Sequence, residues 1–162
     1  MIKHLKNNFG KTIDAEHRLG ETTLKRGTFV KKVYDTSKKY TKIMKATSFA
    51  EAEGVLVRDV VVDVDVAMGL PVSDFSDTQD ICKDGEYVGV EPVVIGEEYA
   101  TTEYDSTLVD ADVLEGNLLL VVDGKITKSS EGVTGNLRSL GWYTIGEHKM
   151  LAFRVVANVV TP

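Results

Sequence analysis

Across residues 54–69 the chain reads GVLVRDVVVDVDVAMG, with apolar side chains at the even positions Leu56, Val60, Val62, Val64, Val66 and Met68, interrupted only by Arg58. Asp59, Asp63 and Asp65 stand at odd positions, with Val61 as the exception among them. Successive side chains of a strand point to opposite faces, so this period of two predicts a β-strand with an apolar row on the core and an acidic row facing water or a partner. Its length exceeds the usual strand of about 5–6 residues, which predicts a bend or bulge, or a strand that leaves one sheet for another.

The same grammar recurs along the chain. Residues 28–34 and 40–47 flank the polar stretch DTSKK and predict a β-hairpin over 28–47, followed by a short helical turn in SFAEAEG. Residues 70–86 carry Asp74, Asp77, Asp80 and the turn pair Asp84-Gly85, a surface loop. Residues 87–95 read as a strand broken at Pro92, and Tyr99 and Tyr104 as anchors of the stretch that follows. In LEGNLLLVVDGKITK, residues 118–122 and 125–128 are joined by Asp123-Gly124, a two-residue hairpin turn. A glycine-rich loop is predicted in SSEGVTGNLRSLGW. Residues 149–160 then place Leu151, Phe153, Val155, Ala157 and Val159 on one face of a closing strand packed against the central one. Residues 1–26 show no sustained period and read as an extended N-terminal arm. The prediction is a mainly β protein: one compact β-sandwich or β-barrel domain over 27–162, with the arm before it.

Composition narrows the classes. A chain of 162 residues, 43% hydrophobic, suffices for one domain with a sizeable core. The single cysteine, Cys82, rules out an intrachain disulfide or thiolate cage and fits a reducing compartment. No run approaches the roughly 18 apolar residues of a membrane span, and the N-terminus lacks a signal-peptide stretch, so no membrane partner is expected. Charge is segregated: residues 1–45 hold 12 Lys+Arg against 4 Asp+Glu (net +8), and residues 46–162 hold 7 against 21 (net −14), together −6. Opposite fields on one molecule suit self-association or docking on a charged surface. The candidate contact residues are Leu5, Phe9 and Ile13 on the arm, Lys31, Lys32 and Lys42 on the hairpin, and Asp59, Asp63 and Asp65 on the acidic row. The plainer reading is that the lysines guard a strand edge and the carboxylates are solvated.

Candidate chemistry is sparse. His4, His17 and His148 are scattered, no serine sits in a GxSxG elbow, and GVTGNLRSLG lacks the P-loop lysine. Asp59, Asp63 and Asp65, or Asp110, Asp112 and Glu115, offer oxygens to a hard cation such as calcium, but neither set matches an EF-hand loop. Phe9, Phe29, Tyr34 and Tyr40 are the aromatic residues of the basic quarter, and the acidic remainder repels a polyanion, so direct nucleic-acid binding is not expected. No catalytic residue, cofactor or metal is predicted.

The order of segments carries a resemblance. LKRGTFVKK, GVLVRDVVV, LEGNLLLVVDGKITK and LGWYTIGEHKMLAFRVV, spread over residues 24–160, resemble in pattern the head-decoration class of small β-rich proteins of tailed-phage heads. The resemblance implies a non-enzymatic capsid decoration protein, a homotrimer on the outer shell whose partners are the major capsid protein and its own copies, assembled in the host cytoplasm. The basic start and the loop over 74–84 depart from that pattern and leave the docking surface open. The alternatives are another phage part, such as a tail tube or head-fibre base, and a carbohydrate- or ion-binding β module.

Overall fold

The alternating pattern produces strands along nearly the whole chain. The computed structural model describes residues 1–6, 13–57, 81–130 and 132–160. In chain order its strands are β1 (Ile2–Lys6), β2 (Asp14–Leu19), β3 (Thr23–Lys25), β4 (Phe29–Asp35), β5 (Tyr40–Lys45), β6 (Gly54–Val57) and β7 (Ile81–Lys83). They continue with β8 (Tyr87–Glu91), β9 (Glu98–Thr101), β10 (Leu118–Val122), β11 (Lys125–Lys128), β12 (Thr134–Ile145) and β13 (His148–Val160), and single 3-10 turns occupy Phe49–Glu51 and Asp110–Val113. One sheet of six runs β1-β9-β13-β12-β10-β11, β2-β5-β4-β6-β8 close a barrel, and β3-β7 form a ribbon. The chain is therefore mainly β, with one of its sheets closed into a five-stranded barrel. Closure is completed by β2, which runs antiparallel to β8 and parallel to β5.

Strand alternation divides the core. Inside the barrel Leu19, Val30, Ile43, Leu56, Val88 and Val90 form one buried cluster, with Leu24 of β3 packed against it. Between barrel and sheet lies a larger one, in which Phe29, Val55 and Val57 meet Tyr99, Leu119, Ile126, Leu137, Leu151, Phe153 and Val155. In the described part of the central strand, even-numbered Leu56 thus points into the barrel while odd-numbered Val55 and Val57 are also buried, so both its faces are covered. The continuation over 58–69, with Asp59, Asp63 and Asp65, lies outside the described residues, as do residues 70–80 of the loop expected over 70–86. The described part of that loop is not all loop, since Ile81–Lys83 is β7 and pairs with β3.

Turn chemistry fixes the way the two bodies dock. Asp123 (φ 50°) and Gly124 (φ 78°) both take positive φ, as a primed two-residue hairpin turn requires. This turn is pinned to the barrel: Phe29 N–H donates to Gly124 O at 2.9 Å, and a Cβ on Gly124 would lie 2.6 Å from Thr28 Cγ2. Pro92, which has no N–H to give to a ladder, follows immediately on the end of β8.

Two expectations are corrected. The first 26 residues, expected as an arm, are extended but woven into the domain where they are described. β1 pairs with β9, β2 completes the barrel and β3 pairs with β7. The reason is an alternation too short to stand out in sequence: Ile2 packs on the inter-sheet core, while Met1 and Leu5 join Ala100, Met150 and Ala152 in a separate cluster. The glycine-rich loop is also mostly strand, since Thr134–Ile145 is β12. Its glycines serve the pairing with β13, whose register shifts between Gly135 and Leu137 and again between Ser139 and Gly141, where Gly141 has φ 92°.

Gly124 and Gly132 (φ 75°) both hold positive φ, but nothing lies within 4 Å of a Cβ built on Gly132. Gly132→Ala is expected to cost the backbone strain alone, about 1–2 kcal/mol. Gly124→Ala should cost clearly more, because Thr28 and the Phe29 carbonyl must also move. Denaturant melts of the two variants compare them directly, and equal losses would show that the turn is not seated as described.

Candidate functional site

Directly paired residues in a sheet share a face, and this places charged side chains at the barrel's two ends. Lys32 pairs with Ile43, His17 with Val88 and Asp14 with Val90, each partner belonging to the barrel interior. These three polar residues therefore continue the inner rows at one rim. There Lys32 Nζ donates to Asp14 Oδ2, His17 Nε2 lies 3.3 Å from the same oxygen, and Glu53 Oε2 is 3.8 Å from Lys32 Nζ. The Lys32 hydrogen bond, followed by that from the Glu16 N–H, holds the Asp14 carboxyl below its ordinary range, and Asp14 in turn raises Lys32. This rim is internally satisfied.

The other end is different. Leu24 plugs the barrel there, and beside it lies a depression of about 320 Å³ lined by Thr23, Lys25, Thr28, Lys45, Glu103, Asp123 and Lys125. Lys31, Lys32, Lys42, Lys128 and Lys149 each have a carboxylate oxygen at 2.5–3.5 Å. Lys25, Lys45 and Lys125 form no ion pair among the described residues, and they share this one depression. Across the β10–β11 turn a groove of about 410 Å³ runs between the 3-10 turn at Phe49 and the sheet, floored by Leu120, Val121 and Val122 and walled by Val133. Val122 is 50% exposed and Val133 37%.

The proposed contact residues do not come together. Lys31 and Lys42 lie on the barrel's outer face, and Lys32 on its inner one. All three are paired, to Glu51 at 2.7 Å, to Asp35 at 3.2 Å and to Asp14 respectively. Lys31 and then the Thr47 hydroxyl pull the Glu51 carboxyl down to about 2, and Ser37, the Lys38 N–H and Lys42 hold Asp35 well below its ordinary range. The charge of these three lysines is thus answered within the chain, while Lys38, Lys39 and Lys45 of the same hairpin form no ion pair among the described residues. Leu5 packs against the cluster around Met150, and Ile13, 40% exposed, covers Gly89 of β8. Phe9, Asp59, Asp63 and Asp65 lie outside the described residues. Of the second acidic set, Asp110 accepts from Trp142 Nε1 at 2.8 Å and from Lys149 at 3.5 Å, and Asp112 from Lys128 at 3.3 Å and the Val109 N–H at 3.1 Å, while Glu115 has no ion-pair partner among the described residues.

Sequence reasoning missed Asp14, His17 and Glu53 at one end of the barrel and Lys25, Lys45 and Lys125 at the other. A signal existed for Lys32, which alternates with Val30 in β4. None existed for the unpaired lysines, which meet only when β3, β5 and β11 are folded together.

Fold and surface define a two-sheet β protein whose notable features are charged barrel ends and an apolar groove. Set against known proteins, the chain is matched by no family model, no curated protein and no solved structure.

The rim predicts a pH dependence. The lowered Asp14 value contributes stability above the ordinary carboxyl range, lost as pH falls through the folded value. The raised Lys32 value contributes below the ordinary lysine range, lost as pH rises through its own. Lys32→Met should therefore lower the melting temperature between about pH 4 and pH 10, with the gap from the unchanged protein closing towards pH 2. Thermal melts across that range read it, and a gap independent of pH would mean that Lys32 acts through packing alone.

Proposed function

We propose that the chain is a non-enzymatic structural protein of a tailed-phage virion, which decorates and stabilises the capsid by binding the major capsid protein and further copies of itself. The observation that supports this reading is the distribution of exposed apolar side chains. Val122 pairs with Lys125 across the β10–β11 turn and shares its groove with Val133, and Val109 (58% exposed) and Leu114 (61%) bracket the 3-10 turn that carries Asp110. Tyr87 (63%) stacks its ring 4.8 Å from the Arg18 guanidinium. Apolar area ringed by charge is the anatomy of a contact surface. The pattern resemblance over residues 24–160 points the same way, and a body whose first strand is tied into its sheet suits a part that must bear load. Many modest contacts on one lattice add by avidity.

Undecorated capsids mixed with the purified chain should carry it into the pellet on sedimentation, to a saturating ratio, and should withstand heating better than bare capsids. Salt should weaken the attachment only in part, since screening reaches the exposed charges and leaves the apolar contacts. No pelleting at low or moderate salt would reject the decoration role.

A further inference from the structure

We infer that two copies of the chain meet through unlike surfaces, with residues 109–115 of one copy seated over the β10–β11 turn of the next, acidic side chains towards the lysine-lined depression and apolar ones in the groove. This rests on the self-association half of the proposed function and gives it an interface.

The receiving surface is incomplete by itself. Lys25, Lys45 and Lys125 line a depression of about 320 Å³ and form no ion pair among the described residues, with Glu103 and Asp123 in its wall, Asp105 beside Lys125 and Glu21 beside Lys45. The adjoining groove exposes Val122 and Val133. Its occupant must bring both carboxylates and apolar side chains, closely spaced.

The chain itself presents such a segment. Val109-Asp110-Ala111-Asp112-Val113-Leu114-Glu115 exposes Val109 and Leu114 at 58% and 61%, and the Asp110 side chain is 86% exposed. Glu115 is exposed and has no ion-pair partner among the described residues. The segment is also held in shape. Val113 is 2% exposed and anchors it in the inter-sheet core, the Asp112 carboxylate accepts from the Val109 N–H, and the Asn117 amide donates to the carbonyls of Ala111 and Asp112 at 3.0 and 3.2 Å. A projection fixed before binding loses little conformational freedom when it docks, which favours it over a flexible acidic tail. Charge then sets orientation, because the reversed placement brings like charges together. Contact between unlike patches is heterologous, so repetition closes a ring or extends a chain.

Sedimentation equilibrium of the full chain, without capsids, tests this. The mass should rise above 17.8 kDa with concentration. Lys45→Glu with Lys125→Glu, and separately Asp110→Lys with Glu115→Lys, should each weaken association by about tenfold or more. Mixing the two variants should restore it, since each then offers the other a complementary surface. Because Asp110 also holds Trp142 and pairs with Lys149 at 3.5 Å, Leu114→Asp serves as a second variant of the same projection and should dissociate the copies on its own. A monomeric mass at every concentration, or association indifferent to these changes, would overturn the interface. A chain that stays monomeric yet still pellets with capsids would show that this inference had failed while the decoration role stood.

Discussion

The structure depends on one packed seam, where the outer wall of the barrel lies on the inner face of the six-stranded sheet. A row of rings crosses it. His4 lies 4.8 Å from Tyr99, Tyr99 stacks on Phe153 at 5.5 Å, and Phe153 meets Phe29 at 5.9 Å, with Phe49 a further 6.0 Å on. These rings come from β1, β9, β13, β4 and the 3-10 turn, so the seam joins segments far apart in sequence and neither body buries its apolar face without the other. Tyr99 is completely buried, and its hydroxyl donates to Glu97 Oε2 at 2.6 Å. Burial first, and then the Glu97 carboxylate, push the Tyr99 hydroxyl far above its ordinary value, which keeps it a neutral donor in a place where an unpaired polar group would be costly.

That seam explains why the chain's beginning is structural. β1 lies at the edge of the sheet, but His4 reaches across to Glu91 of β8 at 2.7 Å, and the Met1 nitrogen donates to Arg26 O and Thr102 Oγ1 at 2.9 and 2.6 Å. The first strand therefore bridges sheet and barrel. Deleting residues 2–20 would open the seam and remove β2 from the barrel together, so the segment cannot serve as a detachable anchor in the way its sequence suggests. The same closure brings Asp14 to Lys32 across the barrel rim.

Much of the fold was legible because local chemistry and tertiary packing agree. Asp123-Gly124 specifies its turn whatever surrounds it, and the polar DTSKK marks another, whereas alternation gives the inward direction of Leu56 but not the burial of Val55 and Val57 on the opposite face. What was hidden is physical in origin. β1 and β2 are too short for their period to exceed chance, and the lysines of β1 and the charged residues of β2 mask the few apolar positions. The glycines at 135 and 141 resemble loop residues, but they serve a close approach to Leu119 and a bulge within β12. The charged ends of the barrel combine residues from β2, β3, β4, β5 and β11, and no window of sequence contains such a set.

The same limit applies to reading charge from composition. Residues 1–45 are strongly basic, which makes every lysine there a candidate for docking until its neighbours are known. A lysine already paired with a carboxylate must exchange one partner for another on binding, so its net gain from a new acidic group is small. An unpaired lysine makes no such exchange. Folding therefore sorts the basic residues into two kinds: Lys31, Lys32 and Lys42 are engaged in holding the barrel's strands and the 3-10 turn in place, while Lys25 and Lys45 remain available and are joined by Lys125 from the opposite half of the chain. Position beside an apolar groove, more than the amount of charge, is what makes those three the candidates for the proposed contact between copies.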